Sequence, residues 1–473
     1  GTGARATLGE LGEWLGGGTP SKKRPGFWTD GTIPWLSPKD MGPNVLMATQ
    51  DLIHESALDD SPVKLVPPGS VALVVRSGIL VRKVPVAFVP FEVTLNQDMK
   101  AVVPHHGIDA RWLAWAVRER ERHILENCRK HGTTVASLEM SRLMGTEILV
   151  PPHEEQLRIV AEVEQQIARI EAGEEAASTA LSNATKMAEQ VTSLGSRGCL
   201  EECELFPAPL AKADIDDGQI PELPAGWKWS RLGQVASVVG GITKDSKRQG
   251  DPDYVEVPYL RVANVQRGEI VLDKVTTIRV PLEKAEALRL RRGDVLLNEG
   301  GDRDKLGRGW VWDGQIDNCI HQNHVFRARV IDAEIHPKLL AWHANGFGKS
   351  WCDRNGTQSV NLASISLRKI KLLPVPIPPR EIQEELVKTI ELHLESVAIA
   401  RAMAEDALAR ARDLRASLLH AAFTGALVPQ DPADEPASVM LDRIRAVYGA
   451  KVPRKRAARK PRPTPPGQEE LPS

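Results

Sequence analysis

In this chain of 473 residues, the side chains whose types and spacing could do chemistry are donors clustered on glycine-rich loops. The loop NEGGDRDKLGRG (298–309) carries Arg303, Lys305 and Arg308, and VRSGILVRK (75–83) carries Arg76, Ser77, Arg82 and Lys83 at the matching place. A polar trio, Gln322-Asn323-His324, is mirrored by Asn96-Gln97-Asp98. Lys39, and later Arg261 and Asn264, follow an aromatic-Leu pair. Thr133 and Thr134, like Thr357 and Gln358, occupy Gly-Thr turns. Guanidinium and ammonium groups donate to anionic oxygens, and guanidinium and amide groups also match flat edges two hydrogen bonds at a time. The chemistry on offer is therefore non-covalent recognition. The plainer alternatives are solvated hairpin charges, a trio that satisfies buried backbone groups, and ordinary turn hydrogen bonds.

No bond-making machinery accompanies these residues. Gly348-Lys349-Ser350 lacks the earlier glycine of a phosphate-binding loop, because His343 stands in its place. The 12 histidines show no metal spacing, His105-His106 reads as a solvated loop, and no metal site or catalytic residue is expected. Five cysteines form no CxxC pair, which argues against both structural zinc and a disulfide framework. A net charge of -1 means that any basic footprint is local or supplied by partners. No apolar run is long enough to span a bilayer and no leader pattern opens the sequence, so a cytoplasmic protein is expected.

The elements that must position the donors occur twice. Leu8-Gly9 returns as Leu232-Gly233, Gly17-Gly18 as Gly240-Gly241, Trp35-Leu36 as Tyr259-Leu260, Gly69 as Gly293, and Gly132-Thr133 as Gly356-Thr357, all at offsets of 223 or 224. Pro151-Pro152 returns as Pro378-Pro379 at an offset of 227. A period this long requires each copy to be a domain with its own core. Short apolar runs between Gly/Pro turns predict strands, and DARWLAWAVRERERHI (109–124), capped by Asp109, predicts a helix that recurs at HPKLLAWHANGF (336–347). The fold class expected is a duplicated α/β (α+β) one. The 11 tryptophans are split five and six between the halves, which suits core duty.

After each Pro-Pro the pattern changes to a long charged helix. In the first, Val160, Ile167, Leu181 and Ala188 recur at one heptad position and Val163, Ile170, Ala177, Ala184 and Val191 at another, interrupted by Glu174. In the second, Ile390, Val397, Ala404, Ala411 and Leu418 alternate with Leu386, His393, Ala400, Ala407, Leu414 and Ala421. The alanine-rich seams predict two rods of about 60–70 Å that pair antiparallel within the chain as a spacer with pseudo-twofold symmetry. Two independent oligomerisation tails are the alternative. The boundaries expected are a domain over 1–150, a helix over 151–195, a linker over 196–222, a domain over 223–377, a helix over 378–425 and a tail over 426–473.

These features together resemble the specificity subunit of type I restriction-modification enzymes. The resemblance is carried by GGTPS (17–21), IPWLSPKDM (33–41), LNQDMKAVVP (95–104), GTTVASLEMSRLMGTEILVPPHEEQLRIV (132–160), YLRVANVQRGEI (259–270), QNHVFRARV (322–330), GTQSVNLASISLRKIKLLPVPIPPREIQEELV (356–387) and LLHAAFTGALVP (418–429). It implies two target-recognition domains, each reading half of a bipartite duplex DNA target, with the helices setting the unread spacer. It implies as partners two adenine-N6 methyltransferase subunits using S-adenosylmethionine, and translocase/endonuclease subunits using ATP and Mg2+. No cofactor is expected on this chain, and no amino-methylation motif is present in it. In that setting the loop donors become candidates for phosphate and base-edge contacts: Arg or Lys to guanine, Asn or Gln to adenine.

Two ends remain. ASVMLDRIRAVYGA (437–450) predicts a short amphipathic helix docking on the spacer or on a methyltransferase subunit. KVPRKRAARKPRP (451–463) carries seven cations and no acid, which predicts non-specific phosphate attraction. The first copy starts later than the second, which opens LPAGWKWSRLG (223–233), so the sequence is expected to lack a few native residues and with them an edge strand of the first domain. Because the copies agree in frame and differ in loops, two different half-sites are expected. A reader fused to its own methyltransferase and a scaffold without DNA binding are the competing classes.

Overall fold

The computed structural model describes residues 3–130, 134–301, 305–358 and 363–449. The chain divides into two compact units, residues 1–174 with 409–473 and residues 175–408, each containing one of the sequence repeats.

In both repeats the first strand pairs antiparallel with the last: Ala4–Thr7 with Glu147–Val150, and Lys228–Arg231 with Pro374–Ile377. The edge strand expected to be missing from the first domain is present: Ala4–Thr7 has four residues, like Lys228–Arg231, and pairs in full with the last strand. Next comes a four-stranded antiparallel sheet. Its order is Gly12–Gly16, Met99–Pro104, Ser70–Val74, Val86–Val89 in the first repeat and Ala236–Gly240, Val325–Val330, Val295–Asn298, Gly309–Val311 in the second. Every side chain of Ser70–Val74 and of Val295–Asn298 is buried, as expected for central strands covered on both faces. Helices Ala110–Glu119 and Pro337–Asn345 supply much of that cover, burying Trp112, Leu113 and Trp115, or Leu339, Leu340 and Trp342.

The single helix expected over 109–124 is two. Asp109 does cap it, accepting the Trp112 N–H at 2.8 Å. The backbone leaves helical geometry at Arg120, and a second helix, Glu121–Asn127, takes a course that lets Glu121 accept the Val84 N–H at 2.7 Å. Eight of the eleven tryptophans are buried and none is exposed, which fits core duty.

A smaller mixed sheet lies beside each antiparallel one and delivers the polar trios. Ile33–Leu36 runs parallel to Val93–Leu95, which leads into Asn96; Tyr254–Leu260 runs parallel to Ile320–His321, which leads into Gln322. The Gly-Gly turns pass against those exits. A Cβ on Gly17 would lie 2.0 Å from the Asn96 carbonyl oxygen, and one on Gly241 2.0 Å from that of His321. Only glycine permits so close a backbone approach.

The long helices run His153–Gly195 and Arg380–Phe423, 43 and 44 residues, or about 65 Å each. In the first unit Arg415 pairs with Glu174 at 2.7 Å, while Leu418 and Ala422 share a core with Ile159, Val163 and Ile167. In the second, Gly195 packs on Ile390, and Val191 shares a core with Val387 and Ile390. Within the first unit the two segments thus lie antiparallel, and Arg415 neutralises the glutamate that interrupts the first seam. Val160, Val163, Ile167, Ile170, Ala177, Ala184 and Val191 are buried as expected. The second helix corrects its expected phase: His393, Ala400, Ala407 and Leu414 are exposed. Val387, Leu394 and Ala422, one residue further on, line the seam with Ile390, Val397, Ala404 and Leu418, a rotation of about 100° that the alanine-rich sequence does not resolve.

The segments after the two helices also fold onto repeats. Residues 196–222 lie on the second repeat, where the buried Arg231 guanidinium holds Asp217 at 2.7 and 2.8 Å and the Ala211 carbonyl at 2.6 Å. Helix Ala437–Tyr448 lies on the first repeat. It buries Met440, Leu441 and Ile444, pairs Arg445 with Glu10 at 3.0 Å and stacks Tyr448 on His105 at 3.7 Å. His105 is therefore not a solvated loop residue, and the helix expected on the spacer or a partner is docked on its own first domain. The basic run 451–463 lies outside the described residues.

Candidate nucleic-acid interface

In the second repeat the fold brings the glycine-rich loop to the Gly-Thr turn, and in the first it brings the basic loop to the segment after Thr134. The Ser77 N–H donates to the Ala136 carbonyl at 2.9 Å and Arg76 bridges Ser137, so the loop after strand Ser70–Val74 meets the segment after Thr134. In the second repeat Gly300–Gly301 pairs with Ala363–Ser364, which pairs with Thr357–Gln358, making a three-stranded ribbon. Thr134 and Thr357 are exposed. Thr133, Arg303 and the Gln358 side chain lie outside the described residues.

The trios join the same surface. In the first repeat the N–H groups of Val75 and Arg76 donate to the Asp98 carbonyl at 2.9 and 3.3 Å; in the second, Glu299, which takes the place of Val75, donates its N–H to the His324 carbonyl at 2.9 Å. Side chains pair across both bonds. Arg76 Nε lies 3.8 Å from Asp98 Oδ1, and His324 Nδ1 lies 2.7 Å from Glu299 Oε2. Gln322 and Asn323 are half-buried beside them, with Asn323 Nδ2 3.4 Å from His324 Nε2.

Several predicted donors have structural work. Asn264 is buried; its Oδ1 accepts the Arg261 N–H at 2.9 Å and its Nδ2 donates to the carbonyls of Val271 and Lys274 at 2.9 and 3.2 Å. The expectation that its amide faces a groove is thus corrected: a turn spends that amide internally. Asp40 does the equivalent job, taking the N–H groups of Ser37 and Gln50, both at 2.9 Å. Ser77 is likewise a cap, its Oγ accepting the Ile79 N–H of a short 3-10 turn at 3.4 Å. Lys39 is exposed and engaged by Asp51 at 2.8 Å, a contact that raises its pKa.

Arg82 and Lys83 are exposed at the far end of the 3-10 turn, where Arg82 lines a shallow cavity with Glu121, Arg122 and Arg129. Arg261 is exposed. Lys305 and Arg308 sit on the turn that returns to Asn298, whose N–H donates to the Arg308 carbonyl at 2.9 Å. The first repeat thus gathers Arg76 with Ala136, Ser137 and Asp98, and the second gathers the glycine-rich loop with Thr357 and the trio.

Sequence reasoning missed Glu299 and His324 as a pair, and the buried glutamines Gln156 and Gln383. For the glutamines a signal was available: Gln383 stands 227 residues after Gln156, the offset of the Pro-Pro pairs. Gly348-Lys349-Ser350 falls inside helix Phe347–Asn355, so no phosphate-binding loop forms there. Among the described residues, no group of three or more His, Cys, Asp or Glu side chains could hold a metal ion, and no helix is long and apolar enough to cross a membrane. All five cysteines are free thiols, and burial pushes Cys319 and Cys352 up to about 12.

Known proteins share this duplicated frame. A solved structure from work on complex assembly and conformational transition of the type I R-M system superposes with a TM-score of 0.67 at 18% identity, covering 90% of this chain and 98% of that one. The HsdS subunit from Thermoanaerobacter tengcongensis gives 0.53 at 18% identity, covering 90% and 97%. In sequence, the chain is 47% identical over 154 residues to the EcoR124I/EcoR124II specificity subunit of Escherichia coli, 33% of this chain and 38% of that protein. It is 25% identical over 270 residues to the MjaIX specificity subunit of Methanocaldococcus jannaschii, 55% of this chain and 57% of that protein. The chain thus spans less than two thirds of these relatives' length. The family described as type I restriction modification DNA specificity domain is matched over residues 5–177 and 224–404. Since those two segments coincide with the two structural repeats and make up more than half of the chain, it belongs to that family.

Proposed function

We propose that this chain is the non-catalytic DNA-recognition subunit of a type I restriction-modification complex. It binds an asymmetric bipartite duplex target and directs adenine-N6 methylation by two partner methyltransferase subunits and restriction by translocase/endonuclease subunits. S-adenosylmethionine, ATP and Mg2+ belong to those partners. The observation that carries the reading is the duplication of one frame with two different loop sets, Arg76 with Asp98 in one and Glu299 with His324 in the other. Two such readers match a target with two unlike halves. Phosphate contacts from Arg261, Arg82, Lys83, Lys305, Arg308 and the Gly-Thr turns set register and orientation, while base-edge contacts choose the sequence.

The experiment is genome-wide mapping of N6-methyladenine in the host with and without this gene. Disappearance of one asymmetric bipartite motif is expected. An unchanged map, together with no sequence-dependent binding above the phosphate background, leaves the scaffold reading instead.

A further inference from the structure

One contact inside the frame is completed differently in the two repeats. Arg118 on the first domain's helix corresponds to Asn345 on the second's: each stands three residues after a tryptophan, Trp115 or Trp342, and each donates to a carbonyl of the facing strand, Val86 or Gly309. The neighbouring bonds confirm the match. The N–H groups of Val74 and Asn298 donate to the carbonyls of Pro85 and Arg308, the residues just before those acceptors, and the ion pair Arg111–Glu164 returns as Lys338–Glu391 at the offset of 227.

In the first repeat the Arg118 guanidinium also lies over the Trp115 ring, 4.6 Å from its centroid. Burial lowers its pKa to about 10, so it remains charged at neutral pH. Asparagine is too short to cover the indole in this way. Beside Trp342 the second repeat instead holds a cavity of about 770 Å3, walled by Trp310, Leu394 and the long-helix glutamates Glu189 and Glu395. Trp310 stands on the strand where the first repeat has Ala87, and its ring lies 5.9 Å from that of Trp342 at an angle of 55°. Of the other charged residues lining the cavity, Glu391 is engaged by Lys338 and Arg267 by the Asn345 carbonyl. Glu189, Glu395 and Lys349 have no side-chain partner among the described residues, which leaves two free carboxylates against one free ammonium.

We infer that this cavity is a guanidinium-binding site, which takes from outside the chain the group that Arg118 supplies within the first repeat. The ligand class is an alkylguanidinium, free or as an arginine side chain of a partner protein. A guanidinium is flat and weakly hydrated, so it stacks on indole faces while its in-plane N–H groups donate to carboxylates. Two tryptophans and two unpaired glutamates offer both kinds of contact, and Leu394 offers an apolar wall for the alkyl stem. The site does not depend on the DNA-recognition reading.

The test is calorimetric titration of the full chain with Nα-acetylarginine amide, against Nα-acetylcitrulline amide, which has the same shape and no charge. Saturable binding of the arginine compound is expected, with the citrulline compound weaker by about tenfold or more. Asn345→Arg gives the second repeat its own guanidinium, and is expected to abolish binding while the melting temperature holds or rises. Glu189→Gln combined with Glu395→Gln should weaken binding about tenfold without a change in melting temperature. If Asn345→Arg proves unstable, Trp310→Ala, which restores the residue type of the first repeat, must weaken binding instead. No saturable binding, equal binding of the two compounds, or undiminished binding in these variants would overturn the inference. Asn345→Arg in the complete complex then separates the sources: a tenfold loss of assembly assigns the guanidinium to a partner's arginine, and unchanged assembly assigns it to a free ligand.

Discussion

Gln156 Oε1 accepts the backbone N–H of Asp109 at 2.8 Å, tying the cap of the first domain's helix to the start of the first long helix. The same amide donates through Nε2 to the carbonyls of Gly107 and Pro151 at 3.2 and 3.0 Å. Gln383 repeats the arrangement with the His336 N–H at 2.6 Å and the Glu334 and Pro378 carbonyls, both at 3.1 Å. Both side chains are buried, at 0% and 5% exposure. A planar amide with one acceptor and two donors closes three backbone groups at the joint between domain and rod, and fixes the angle at which the domain leaves it.

Replacing Gln156 by Leu keeps the volume and abolishes all three bonds. Unsatisfied buried backbone groups cost about 1–3 kcal/mol each, so a loss on the order of 3 kcal/mol is expected on chemical denaturation. Faster hydrogen exchange at the Asp109 amide should accompany it. Gln383→Leu is expected to act the same way on the second repeat.

The bridge between Arg231 and Asp217 fastens the segment before the second domain, and the Arg231 side chain is only 5% exposed. Arg231→Met is expected to cost about 3 kcal/mol, because it strands Asp217 and the Ala211 and Leu372 carbonyls that the guanidinium serves. Burial acts to raise the Asp217 pKa, but hydrogen bonds from Arg231 and Trp351 outweigh it and hold the carboxyl below its ordinary value. A depressed carboxylate pKa stabilises the fold above the unfolded value, near 3.8, and that contribution is lost as pH falls through the folded value. Acid titration of Arg231→Met, followed by tryptophan fluorescence, should lack that part of the transition.

Two histidines give the second repeat an earlier sensitivity to acid. Burial lowers His321 and His343 to about 4; each makes one hydrogen bond, to the Val325 carbonyl at 2.7 Å and the Pro374 carbonyl at 2.8 Å. Their unfolded forms take up a proton near 6.5 and their folded forms only near 4. Stability from these groups is therefore full above pH 6.5 and falls progressively toward pH 4. His343→Gln should flatten that limb in denaturant midpoints measured across the range; an unchanged limb would show that the imidazoles are not its source.

Gly17 and Gly241 admit no side chain. Alanine at either would bring Cβ within 2.0 Å of a backbone carbonyl oxygen, so the strand exit that carries the trio must move. A loss of more than about 2 kcal/mol is expected for each substitution, confined to its own repeat. Limited proteolysis that cuts both halves equally in either variant would contradict this.

The repeat, the Gly-Gly turns, the two long helices and the first seam were legible in the sequence, because each is written in residue identity and local period. A glycine under a carbonyl has no substitute, a heptad of Val and Ile has one apolar face, and a duplicated domain repeats its frame. Tertiary structure decided the rest. The second seam turned by one residue because alanine and leucine at neighbouring positions left two faces of similar apolarity, and only packing against the partner segment chose between them. Asn264 and Ser77 became caps because their turns needed acceptors, which side-chain type alone does not reveal. The Glu299–His324 and Arg76–Asp98 pairs depend on a backbone hydrogen bond between segments more than twenty residues apart, and no local pattern encodes which side chains such a bond sets face to face.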